Sequence, residues 1–412
     1  MRNYRRSAKY GAVLAAVLLL AGCSEEAGNA VQQETVQEED AWEQGAEEDD
    51  EKGYGYGLPV DEEEREEAEQ ECAAALELTK KFARAAQDAG GVLTEDEAEQ
   101  MADVLAAQGN PVTTFDIYQD MKNCEVMDAF LEDCENGRSG EATEYEVYKD
   151  GSIGRKKFVF DGEDLYVLSV TASWRGGDAK SIGEMACTRA EKWDYTEKGW
   201  FFYKLCTPGY PEVTEVLYSN AMLRVKPYDA ECAEISRTCL SSIAYEGNNL
   251  FWSDWGPDNM AGIDYNGLFQ YLYELDSGEA FDSSLYTEGI PAEQFESMMT
   301  KYLPVSAEQL REYASYDAES GTYAWIALGV GNRTKSVIDL SEPEVVDIEE
   351  NGDGTVTLTV DAVSEGMMDD AVLTHRLTVR FADGGGVEFL ENQVEGNALE
   401  KMPEYVYRIR ES

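Results

Sequence analysis

Between residues 145 and 206 apolar side chains recur at every second position, in runs rich in β-branched and aromatic residues: 145–149, 157–160, 165–174, 182–193 and 200–205. That alternation turns one face of each strand toward a core. The links between the runs are short and carry turn residues such as Asp161-Gly162 and Lys198-Gly199. Short links join antiparallel neighbours, because a parallel crossover needs a dozen or more residues. The segment is therefore expected to be an antiparallel meander.

Helices are expected ahead of it. Over 61–89 Ala68, Cys72, Ala75, Leu76, Phe82 and Ala86 fall at helical spacing behind an acidic first turn that suits the helix dipole, and Gly90-Gly91 ends the pattern. Thr94 and Glu97 form a capping box for a helix running to about Gln108. A third helical stretch, 115–135, carries a break near Asn123. The same order returns in the second half. Helical patterns at 265–275, 291–302 (Pro291 first) and 306–313 (Ser306 and Gln309 as capping box) precede strands at 344–349, 355–363, 371–381 and 387–393. The expected fold class is α+β, helices followed by an antiparallel β-meander. In its finer form the expectation is two cystatin-like or nuclear-transport-factor-like units, at 59–225 and 226–412. The repetition is one of element order and not of residues.

The N-terminus sets an address. Arg2, Arg5, Arg6 and Lys9 precede an apolar run from Gly11 to Leu20, and Leu20-Ala21-Gly22-Cys23 closes it. This is the layout of a lipoprotein signal peptide over 1–22, with Cys23 as the lipidated first residue of the mature chain. The apolar run is too short for a membrane span, which needs ~20 residues. Residues 23–58 are dominated by Glu and Asp and read as a disordered acidic tether. At ~3.3 Å per residue its ~35 residues reach at most about 115 Å from the bilayer. The localisation expected is the extracytoplasmic face of the cell membrane, with the membrane as a partner through the lipid anchor alone.

Charge excludes whole classes of partner. With 84 acidic against 33 basic side chains the net charge is -51. Nucleic acid is ruled out, since phosphates need a basic face. Anionic head groups repel such a surface too.

Over nearly its whole mature length the chain resembles an uncharacterised family of clostridial lipoproteins. The resemblance lies in Tyr195-Thr196-Glu197-Lys198-Gly199-Trp200, Gly247-Asn248-Asn249-Leu250, Asp264-Tyr265-Asn266-Gly267-Leu268-Phe269, Tyr302-Leu303-Pro304-Val305, Gly321-Thr322-Tyr323-Ala324-Trp325 and Pro403-Glu404-Tyr405-Val406-Tyr407. It implies the outer membrane-leaflet surface of a Gram-positive anaerobe and brings no catalytic residue.

Candidate chemistry is sparse. Eight cysteines less Cys23 leave an odd number, so at least one thiol is outside any internal bridge. Cys187 and Cys206 lie at nearly equal distances from the 196–199 turn and are the best disulfide candidates. Pairing Cys206 with Cys239, or Cys72 with Cys124 or Cys134, is weaker, and buried reduced thiols are the competing reading. With one histidine and no Cys-x-x-Cys, no metal or other cofactor is expected. His375 alternates onto the apolar face of its strand, a placement shared by a general base and a core histidine, and no acid or nucleophile can be set beside it. Asn351-Gly352-Asp353-Gly354 resembles a calcium loop, but either register puts Leu358 or Val360 at the twelfth position, so a hairpin turn explains it better.

The best binding candidate is the aromatic and amide loop 248–259, with Asn249, Trp252, Asp254 and Trp255. Flat rings beside amides and acids stack on and hydrogen-bond sugars or peptides. Trp252 and Trp255 equally suit an apolar seam between two domains. The function expected is a non-enzymatic envelope binding or accessory module whose envelope ligand or protein partner the sequence leaves unnamed. A solute receptor for an importer is the alternative, and a cell-wall hydrolase comes third.

Overall fold

The computed structural model describes residues 54–409 except 89, 176–178, 210–211, 214–216, 330, 335–337, 339 and 383–385. The expected signal peptide, Cys23 and all of the tether before Tyr54 lie outside the described residues. The fold is α+β.

The first half opens with α1 (Glu62–Asp88), whose Ala68, Cys72, Leu76, Phe82 and Ala86 form the expected buried stripe. In α2 (Glu95–Ala106) the Thr94 hydroxyl accepts from the Glu97 amide at 3.2 Å, while the Glu97 carboxylate accepts from the Thr94 amide at 2.9 Å. Each fully buried Leu or Met on these helices contributes roughly 1.5–3 kcal/mol by leaving water.

An eight-stranded sheet follows: β1 (Val112–Thr114), β2 (Gly140–Val147), β3 (Ile153–Phe160), β4 (Leu165–Arg175), β5 (Ala179–Ile182), β6 (Ala186–Tyr195), β7 (Trp200–Leu205) and β8 (Asn220–Arg224). Its order is β1-β2-β3-β4-β6-β7-β8, with β5 folded back on β4. All pairings are antiparallel except β1 with β2. The run at 182–193 is thus the end of β5 and most of β6.

The expected helix over 115–135 is only α3 (Cys124–Glu135). Val112–Thr114 is taken by the sheet, and the Asp116 carboxylate accepts from the Tyr118 amide at 3.0 Å, which turns the chain. Asn123 sits at φ +51° while its side-chain amide donates to the Ala106 and Asn110 carbonyls, so the helix begins one residue later.

One face of the sheet packs on α1 and α2, where Arg155 bonds Glu71 at 2.6 Å and Lys157 bonds Glu64 at 2.8 Å. The other face packs on α3, and the sheet curls so that Phe158 of β3 meets Phe201 of β7 edge to face at 5.5 Å.

The second half begins with α4 (Ala230–Ile235), which runs into a π-helical turn, Ser236–Leu240. Then come α5 (Tyr265–Ser277), α6 (Ala292–Tyr302) and α7 (Ala307–Tyr313), the last with the expected Ser306/Gln309 capping box. Three two-residue strands, β9 (Ile290–Pro291), β10 (Tyr316–Asp317) and β11 (Thr322–Tyr323), make a small sheet. The meander β12 (Ser341–Glu350), β13 (Val356–Ser364), β14 (Asp369–Phe381) and β15 (Val387–Val394) is ordered as in the chain. Rings build this core: Phe269 stacks on Phe295 at 5.4 Å, and Phe295 on Tyr323 at 4.0 Å. Element order repeats between the halves, but an eight-stranded sheet with one parallel pair and a four-stranded meander are different sheets.

Where the halves meet, Trp200 and Phe202 pack on Val363 and Met368. The Trp200 indole N–H donates to the Glu344 carboxylate at 3.1 Å, which also pairs with Arg224. Tyr228 donates to the Val345 carbonyl at 2.7 Å.

Candidate functional site

Asn248 and Asn249 organise the loop that the sequence singled out. Asn248 is fully buried, donating to the Ile243 carbonyl and accepting from the Leu250 amide. Asn249 donates to the Gly262 carbonyl and accepts from the Asp264 amide, both at 2.8 Å. Trp252 and Trp255 are 4% and 3% exposed, and each indole N–H donates 2.7 Å to a carbonyl of the same loop, Asn248 and Leu250 respectively. Both rings lie in the core of the second half. The seam between the halves is built around Trp200 instead. Asp254 is exposed, with one carboxylate oxygen accepting from the Val394 amide at 2.8 Å. The loop is thereby stitched to β15, where Trp255 and Asn392 exchange backbone hydrogen bonds.

The loop does not itself line the neighbouring cleft but reaches it through Trp252, which packs on Tyr405. Asp264 caps α5, one oxygen accepting from the Gly267 amide at 2.8 Å. Its other oxygen accepts from the Tyr405 hydroxyl at 2.8 Å and the Arg408 amide at 2.7 Å. The segment 403–409 is thus strapped across the start of α5. Arg408 locks the strap: its guanidinium is 1% exposed and donates to the Gln270 side chain at 3.0 Å and the Gly247 carbonyl at 3.2 Å. Gly247 must be glycine here, because at φ +67° a Cβ would lie 2.6 Å from the Tyr271 hydroxyl and 2.8 Å from the Arg408 guanidinium.

Between strap and helix lies a cavity of about 520 Å³, lined by Asp264, Asn266, Tyr313, Tyr405, Tyr407 and Glu404 among others. Trp252 supports Tyr405 edge to face at 5.4 Å from beneath. Burial and the Asp264 carboxylate push the Tyr405 hydroxyl far above its ordinary value, so it stays a neutral donor. Asn266 is fixed by bonds to the Ala324 carbonyl and the Ser315 amide. Glu404 and Tyr407 stand exposed at the rim. Rigid rings with a few oriented polar groups are what a small-ligand site requires.

The remaining candidates resolve as structure. His375 is fully buried, its Nδ1 2.6 Å from the Asn392 side-chain oxygen and its Nε2 3.1 Å from the Tyr245 hydroxyl, and it stacks on Phe251 at 5.4 Å. Burial lowers it to about 4. It is a neutral core histidine. Residues 351–354 form the turn between β12 and β13, with the Asp353 carboxylate held by Thr355. The expected Cys187–Cys206 pairing does not match the register. The Cys206 amide bonds the Arg189 carbonyl, so Cys206 stands opposite Arg189, two residues along the strand from Cys187. A two-residue offset carries the Cα atoms to about 8 Å, past the ~7 Å reach of a disulfide.

Sequence reasoning missed the Asp264–Tyr405–Arg408 clasp. The sequence marked 265–275 as a helix and 403–407 through the family resemblance, but Arg408 drew no notice and nothing local says that these parts touch. The one local signal was Asp264 as an N-cap.

Among the described residues no helix is long and apolar enough to cross a membrane, and no group of three or more potential ligands could hold a metal ion. No curated protein and no solved structure matches the chain. Residues 65–408, nearly everything described, match one sequence family, and the chain therefore belongs to the family of unknown function DUF6070.

Proposed function

We propose that the protein is a lipid-anchored, extracytoplasmic binding or accessory module, held by Cys23 and a 23–58 tether, that takes a polar ligand with flat apolar faces in the cleft beneath the 403–409 strap. A sugar or a peptide segment has that chemistry. The observation that carries this reading is the cavity of about 520 Å³ with Tyr313, Tyr405 and Tyr407 as walls and Asp264, Asn266 and Glu404 among its polar groups. The size falls in the usual range for ligand pockets. Asp264 and Asn266 are already engaged with the protein's own donors and acceptors, which suits holding a ligand better than moving protons. The aromatic loop 248–259 serves the site from below, as its support. The apolar run and the Leu20-Ala21-Gly22-Cys23 sequence support the anchor, and two acyl chains on Cys23 would give stable membrane residence. Similarity to clostridial lipoproteins supports a Gram-positive envelope.

Two experiments test this. Palmitate labelling of expressing cells is expected to mark the protein and to vanish in Cys23→Ala; label that survives the substitution would sink the anchor. Thermal-shift titration of the full chain against peptidoglycan fragments, oligosaccharides and peptides is expected to yield a ligand class whose shift disappears in Tyr407→Ala. At a hundredfold its dissociation constant such a ligand adds ~2.7 kcal/mol. A shift untouched by Tyr407→Ala and by Glu404→Gln would move the site elsewhere.

A further inference from the structure

We infer that the concave side of the first sheet holds a proton-binding site shared by the two halves, in which Glu144 and Glu365 compete with Glu146 for a single ammonium, that of Lys156. Glu144 and Lys156 are direct cross-strand neighbours on β2 and β3. Glu144 is completely buried; one oxygen accepts from Thr113, and the other has no hydrogen-bond donor. Lys156 stays 3.9 Å from that second oxygen, because its ammonium is drawn to Glu146 at 2.6 Å. A carboxylate buried with an empty lone pair is costly, and protonation is the ordinary escape.

The second half adds another acid to the same place. Glu365 sits in the turn between β13 and β14, and the Asn220 side chain of β8 ties that turn down by donating to the Glu365 and Gly366 carbonyls at 3.0 and 3.1 Å. Val363 and Met368, flanking the turn, pack on Trp200 and Phe202. The groups facing this patch are Thr113 from β1, Glu146 from β2, Tyr148 from the β2–β3 turn, Lys156 from β3, Tyr203 from β7 and, beside Glu365, Tyr218. Burial raises all three phenols, so they remain neutral at physiological pH. Glu144 and Glu146 therefore share one cation, and Glu365 lies within its electrostatic reach. Burial pushes both Glu144 and Glu365 up to about 7.

The consequence has a definite sign. An acid whose folded value lies above its unfolded value of about 4.5 holds its proton more tightly in the folded state, so its contribution to stability is largest below about pH 4.5 and is lost as pH rises through about 7. On an extracytoplasmic protein, which experiences the pH of its surroundings, proton loss would place an extra negative charge on each side of the contact and loosen it.

Infrared titration of the carboxyl C=O stretch on the full chain tests the site. Two protonated carboxyls are expected to survive to midpoints near pH 7, one of them vanishing in Glu144→Gln and the other in Glu365→Gln. All carboxyls titrating in the ordinary range near 4.5 would overturn the proposal, and so would high-midpoint bands that persist in the double variant. Hydrogen exchange on the native chain supplies a readout that needs no variant. Residues 220–224 and the 364–369 turn are expected to exchange more slowly at pH 6 than at pH 8 after correction for the intrinsic rate, and equal corrected rates would count against the shared site.

Discussion

The first half of this protein buries charges as well as rings within its sheet, whereas the core of the second half is built mainly from rings. Arg155, Lys156, Lys157 and Glu144 are all buried on β2 and β3, and their partners come from α1 and from neighbouring strands. Across β12–β15 and α5–α6 the interior is Phe251, Phe269, Phe295, Tyr323 and Phe389, with neutral His375 among them. Buried ion pairs add little net stability but are costly to break singly. Stacked and edge-on rings add burial and shape together. Charge pairing is accordingly added to fit in the first half, while fit dominates in the second. Rigid fit is what the proposed ligand cleft would draw on, since Trp252 and Tyr405 belong to that same packed body.

The comparison can be broken most forcefully at Trp252. Trp252→Ala removes a buried indole and its bond to the Asn248 carbonyl, and a loss of about 3–5 kcal/mol is expected in denaturant unfolding. A loss under ~1 kcal/mol would mean that the second core is not set by fit.

Next in size is His375. His375→Leu leaves the Asn392 oxygen and the Tyr245 hydroxyl without their partner, at about 1–3 kcal/mol for each stranded group. The same histidine gives the second half its own response to pH. Its folded value, about 4, lies below the ordinary 6.5, so its contribution is whole above pH 6.5 and falls away toward pH 4, by roughly 3 kcal/mol at the end of that window. Acid thus weakens the second half over the range in which it strengthens the Glu144 region. Stability curves from pH 4 to 8 are expected to rise between 4 and 6.5 in the native chain by more than in His375→Leu, and parallel curves would remove the contrast.

A smaller effect sharpens the first half. Arg155→Met keeps most of the buried stem, and Glu71, 39% exposed, can turn to water, so about 1–2 kcal/mol is expected. More than ~4 kcal/mol would show that the first core rests on its charges. Smallest is Thr94→Ala, which opens the capping box of α2 for about 1 kcal/mol.

Where a feature lives within a few residues, the sequence announces it. The capping boxes at Thr94 and Ser306, the buried stripe of α1, the four strands of the second meander and the apolar side of His375 were all legible. Val112–Thr114 was not, because three residues carry no period and their place is decided by the β2 edge. The irregular path over 115–123 depends on Asn123 reaching back to Ala106 and Asn110, a contact that helical spacing does not encode. Trp252 and Trp255 drew notice as a binding face or a seam, but the same residues also suit a core, and only tertiary packing separates the three. The cleft was least legible. Asp264 meets Tyr405 and Arg408 across about 140 residues of chain, and a strap that distant from its anchor leaves no local trace.

The most direct test of a ligand seat in the second half is hydrogen–deuterium exchange on the full chain with a saturating peptidoglycan fragment, oligosaccharide or peptide that gives a thermal shift. Protection is expected at 262–267, 313–315 and 403–409, with exchange over 140–205 unchanged. Protection that fell on the first sheet and spared the strap would contradict it.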